Sequence, residues 1–243
     1  MTIRKKEAAP FETRELRRSL KEFLSTPYPT GIDQEIKPIE WFKWGVYIFY
    51  DYDGEPIYVG QTKEKVSGRI SRHLTNQRTD AVAMSVLDPY EVYEIEVFPI
   101  PGFQHLSAKD KTSRETLDAL EFKVHQIAVE KSKFGAILNE KDPPNPVRDV
   151  VLPRSVKGRI VSDEVRKLRG HPDTRTARRA QVVARLAQTI SERDVKVGLR
   201  RTLFTQTTRL QSLAGERFEA AGGAANVEKG SEGSDEEGKN RIK

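Results

Sequence analysis

Two tyrosines eleven residues apart, Tyr47 and Tyr58, flank the strongest turn signal in this chain, Asp53-Gly54. If that pair forms a two-residue hairpin turn, Tyr47 lies opposite Gly60 and Phe49 opposite Tyr58, and all four share one face. Two phenols are then held near each other on rigid strands, beside a glycine that admits a close neighbour. The same pattern also describes good strand formers packing a core. A second signal is Glu121. At 100° per residue, Leu117, Val124 and Ala128 fall within about 40° of one another on a helix, and Glu121 lies inside that apolar stripe. An unpaired carboxylate there costs several kcal/mol, so Glu121 must be paired with an arginine, protonated, or bound to a cation at the edge of a cleft. Arg69 and His73, four residues apart, share a helix face beside Val66 and Ile70 and can act together.

The elements that must hold these groups are legible from periodicity. Residues 11 to 24 read as an amphipathic helix with Leu16, Leu20, Phe23 and Leu24 on one side, followed by a Pro/Thr/Gly-rich break over 26 to 31. Residues 44 to 51 and 56 to 60 are the two strands of the hairpin. Residues 64 to 74 have helical spacing, a short helical stretch is expected over 81 to 87, and 91 to 97 alternate as a third strand. Residues 113 to 131 form the most convincing helix. The segment 141 to 153, with four prolines, reads as a linker, and beyond it the pattern is helical and Arg-rich to about Ala220. The expected organisation is a helical lead-in over 1–40, an α+β domain over 41–145, a basic helical region over 146–220, and a disordered Gly/Ser/Glu/Lys-rich tail over 221–243.

Composition narrows the function classes. The apolar fraction of 36% suffices for a core, and no run reaches membrane-spanning length, so a soluble, cytoplasmic protein without a membrane partner is expected. The absence of cysteine removes disulfides, thiolate metal sites and a cysteine nucleophile, while leaving oxygen-ligated metals open. The net charge of +6 is unevenly placed. Residues 41 to 150 carry 14 basic and 17 acidic side chains, net −3, whereas residues 151 to 220 carry 16 and 7, net +9. Such asymmetry fits a nucleic-acid contact region, and equally a solvated basic helix face.

The ordered set Gly45-Val46-Tyr47, Tyr58-Val59-Gly60, Arg69, Glu121 and Leu138-Asn139 resembles the motifs of the GIY-YIG nuclease family, with valine replacing the middle isoleucine in both tripeptides. The string from Arg69 to His73 is similar to the Arg-x-x-x-His variant of some restriction enzymes in that superfamily. The resemblance covers less than half of the chain. It implies a small antiparallel or mixed three-stranded sheet flanked by helices, and a metal-dependent endonuclease of restriction or repair type acting on DNA.

The resemblance also implies roles. Glu121 would hold one Mg²⁺ or Mn²⁺, a hard cation that draws most of its shell from water and phosphate oxygens. Arg69 would clamp the scissile phosphate, Tyr47 would orient or deprotonate the attacking water, and Tyr58 would hydrogen-bond that water or the phosphate. A free phenol titrates near about 10, so Tyr47 needs help from the metal, Arg69 or a proton acceptor such as His73. Lys63 is a candidate phosphate contact and Asn139 a residue that orients the scaffold beside it; Arg178 and Arg179 complete the candidate substrate-binding set from the basic region. A transient homodimer is compatible with one active site cutting one strand at a time. Two other classes compete: a non-catalytic nucleic-acid-binding module that kept the fold, and a protein-interaction scaffold with an Arg-rich helical tail.

Overall fold

The computed structural model describes residues 9–31, 35–75 and 86–223. The α+β class expected from the sequence is what it shows. Helix α1 (Phe11–Leu24) buries Leu16, Leu20, Phe23 and Leu24, the stripe its spacing predicts. Short strand β1 (Pro27–Pro29), inside the stretch read as a break, then pairs with β2 (Ile36–Pro38) beyond it. The hairpin follows as β3 (Gly45–Tyr50) and β4 (Pro56–Thr62), with α2 (Val66–Leu74), β5 (Glu94–Pro99) and the long α3 (Lys111–Lys131) after it. Helix α3 starts at Asp110, whose carboxylate accepts from the Ser113 amide at 2.8 Å and satisfies one of the amides a helix start leaves bare.

The register is the expected one through the part that matters: Tyr47 faces Gly60 and Phe49 faces Tyr58. The turn differs. The Asp51 amide donates to the Glu55 carbonyl, so the loop holds three residues and the register shifts between Phe49 and Tyr50. Gly54, at φ 77°, takes the left-handed position that such a loop requires. The Asp51 carboxylate stiffens it by accepting the Asp53 and Glu55 amides at 2.9 and 3.0 Å.

The main sheet runs β4-β3-β5-β6, antiparallel throughout, and its fourth strand corrects the three expected. Strand β6 (Val156–Arg159) comes from beyond the Pro-rich segment, so 141–153 leads from the stretch after α3 back into the same sheet. The alternation 156 to 159 is too short and too basic to stand out in the sequence. Central β3 is buried on both faces. Tyr47 and Phe49 look toward a core shared with α1 and α2, while Val46, Ile48 and Tyr50 pack with Leu117, Leu120, Val124 and Ala128 of α3.

Helices α4 (Asp163–Arg169), α5 (Pro172–Glu192) and α6 (Val197–Ala220) complete the chain, with α5 and α6 packed on each other. Four of their arginines, Arg169, Arg175, Arg179 and Arg209, are buried. Arg179 donates to Asp51 at 2.9 Å and Glu91 at 2.7 Å, Arg209 donates to Asp51 at 2.7 Å, and Arg175 grips Asp53. Arg178 binds Asp88 through two nitrogens and Arg201 binds Asp142. With Arg179 3% and Arg209 0% exposed, these cations neutralise the acidic side of the hairpin turn. The expected substrate contact Arg179 is therefore corrected to a buried ion-pair partner, whereas Arg178, with its side chain 31% exposed, is held by Asp88 at the surface. The helical stretch expected over 81–87 falls mostly, and the tail from 224 wholly, outside the described residues.

Candidate active site

Strand alternation and helix packing build the site in two parts. On the α2 face, Tyr47 lies across Gly60, where a Cβ would meet its hydroxyl at 2.5 Å and its ring carbon Cζ at 2.6 Å. Only a residue without a side chain leaves that space, and through it the Tyr47 phenol crosses from the central strand toward the edge strand β4. The His73 ring closes the cluster, with its centroid 5.9 Å from Tyr47 and 5.2 Å from Tyr58, while Tyr47 and Tyr58 stand 6.5 Å apart. His73 is buried and Tyr58 half-buried.

On the α3 face, Gln61 is the register partner of Val46 and so points toward α3. Its amide donates to Asp118 at 2.8 Å and lies within hydrogen-bonding reach of Glu121. Burial, and then the charge of Asp118 one turn earlier, push the Glu121 carboxyl up to about 7, against weaker opposing pulls from Gln61 and Arg69. Neither Asp118 nor Glu121 has a lysine or arginine within ion-pairing distance among the described residues. The arginine partner that would have made Glu121 purely structural is thus missing.

Arg69 connects the two parts. One turn before His73 on α2, it lines a cleft of about 300 Å³ together with Gln61, Lys63, Arg72, Arg114 and Asp118. Its buried Nε has no hydrogen-bond partner among the described residues. The cleft opens at the end of β4 because the rest of that edge is covered: the Leu138 amide donates to the Ile57 carbonyl, and the Asn139 side chain both accepts from and donates to the Val59 backbone at 2.9 and 2.8 Å. Asn139 thus fixes the strand that carries Tyr58 and Gly60, and its amide is not turned toward the cleft as a substrate contact. Lys63 is exposed at the cleft mouth, whereas Arg72 is held by Glu64 at 2.9 Å.

The sequence reading missed Gln61, Asp118 and Arg114. The last two share a face with Glu121 through the spacing 114, 118, 121, a signal present in the sequence but outside the apolar stripe that drew attention to Glu121. No group of three or more histidine or acidic side chains able to hold a metal occurs among the described residues. A metal bound here would rest on Glu121, with Asp118 beside it. Two neighbouring carboxylates, one desolvated and neither ion-paired, suit a hard divalent cation that keeps several waters.

Residues 43–124 match the family model described as the GIY-YIG catalytic domain. No curated protein and no solved structure matched the chain. The matched stretch contains Tyr47, Tyr58, Arg69, His73 and Glu121, and stops short of Asn139 and of the basic helices. Over residues 43–124, about a third of the chain, the sequence is similar to the GIY-YIG catalytic domain.

Proposed function

We propose that this protein is a divalent-metal-dependent endonuclease that hydrolyses a phosphodiester bond in DNA, with Mg²⁺ or Mn²⁺ as its cofactor. The observation that carries this reading is the desolvated Glu121 carboxyl, raised to about 7 and without an ion-pair partner among the described residues, one turn along α3 from Asp118, which lines a cleft with Arg69. A pure nucleic-acid binder has no use for that group, since two carboxylates near a phosphate repel it unless a cation intervenes.

The roles follow from placement. A bound divalent cation would supply charge neutralisation at the phosphate and acidify a water. Glu121 would hold it. Arg69, which lines the cleft, donates to non-bridging phosphate oxygens, where its planar fork offsets the charge that builds as the bond breaks. Tyr47 orients the attacking water across Gly60, and the adjacent His73 ring would accept a proton. Tyr58 completes the polar edge. The test is cleavage of plasmid and single-stranded DNA with Mg²⁺, Mn²⁺ or EDTA. Metal-dependent nicking supports the proposal; salt-sensitive binding without cleavage in any metal would leave the non-catalytic module.

A further inference from the structure

Resting on the nuclease reading, we propose that Arg114 is a substrate-binding residue for a second phosphate, one that neighbours the scissile phosphate on the same strand. The cleft has two walls. One carries Lys63, Arg69 and Arg72, and the other carries Arg114, Leu117 and Asp118 from the first turns of α3. Arg114 is exposed and makes no ion pair among the described residues, although the sequence surrounds it with acids. Glu115, the next residue, pairs with Arg148 at 2.7 Å and more distantly with Lys111. Asp118, four residues on and the usual helix partner, instead accepts from Gln61. Each acid that would hold the Arg114 side chain against α3 is engaged elsewhere, and the guanidinium is left available at the cleft.

Its position sets which phosphate it meets. Seven residues separate Arg114 from Glu121, about 10 Å along a helix rising 1.5 Å per residue. A long side chain from that point addresses a phosphate beside the one opposite Glu121 and Arg69. The strand therefore crosses the cleft from α2 toward the start of α3. The contact is to backbone phosphate, so it adds affinity without base preference.

The test uses the full chain carrying Glu121→Gln, so that DNA is bound and not cut, and reads the dissociation constant of a fluorescent duplex oligonucleotide across about 50 to 200 mM salt. Adding Arg114→Ala should weaken binding about five- to tenfold at the lower salt, equally for unrelated sequences, and make the slope of log K against log salt shallower by about 0.9. Arg114→Lys should restore most of the slope, which a merely structural residue would not require. In the cleaving protein, Arg114→Ala should raise KM more than it lowers kcat. An unchanged affinity and slope in Arg114→Ala, with the parent binding normally, would overturn the assignment of Arg114 alone. A parent that does not bind DNA at any salt would overturn the nuclease reading and this inference with it.

Discussion

At Gly60 the placement of the Tyr47 ring depends on a missing methyl group. Because the Tyr47 ring occupies the space a Cβ would fill, Gly60→Ala must displace that ring or the edge strand. We expect at least a hundredfold loss of cleavage with DNA binding within a few-fold, measured by nicking rate and by anisotropy; normal turnover would show that Tyr47 does not act from this position. Glu121 gives a second residue-scale expectation. Its folded carboxyl is raised to about 7, above the ordinary 4.5, so in metal-free protein its stabilising protonated form is complete below 4.5 and lost as pH rises through about 7. Metal and proton compete for the same oxygens. Metal affinity should therefore climb with pH and level off above about 7, and Glu121→Gln should abolish both that climb and the cleavage. A flat metal affinity from pH 5 to 8, read by calorimetry, would move the metal away from Glu121.

Among the elements, the hairpin and the α5–α6 pair are tied by one ionic knot at Asp51. Removing one partner from a buried pair costs about 3–5 kcal/mol, because the other charge stays behind in a low-dielectric setting. Arg179→Ala strands Glu91 and part of Asp51, and its melting temperature should fall by roughly 10 °C, while cleavage at low temperature survives. A fall below 2 °C would mean that the knot contributes little. The contrast between these elements shows what a sequence carries. The Tyr47/Gly60 register is legible because a turn signal and strand alternation are local, and α1 and α3 are legible because their apolar stripes are long. The partners of Arg175, Arg178, Arg179 and Arg209 are not, since an arginine reads as a solvated or nucleic-acid-binding cation until the chain brings an acid from some 90 to 160 positions away. Gln61 is similar: its meaning comes from facing α3, which only the packing of helix on sheet decides.

For the whole molecule, the positive C-terminal half completes the fold. Cutting the chain after Pro153 removes β6 from the edge of β5, together with α4, α5 and α6, and leaves Asp51, Glu91 and Asp88 without their arginines. The truncated chain should show no cooperative melting near that of the intact protein, and a folded, cleaving fragment would contradict this. The central claim, that Glu121 and Arg69 form a metal-dependent phosphodiesterase site, meets its most direct test in one time course of supercoiled plasmid with Mg²⁺, comparing the intact protein, Glu121→Gln and the intact protein in EDTA. We predict nicking by the intact protein with Mg²⁺, and at least a thousandfold less in the other two reactions. Equal nicking by Glu121→Gln, or nicking that persists in EDTA, would contradict the account.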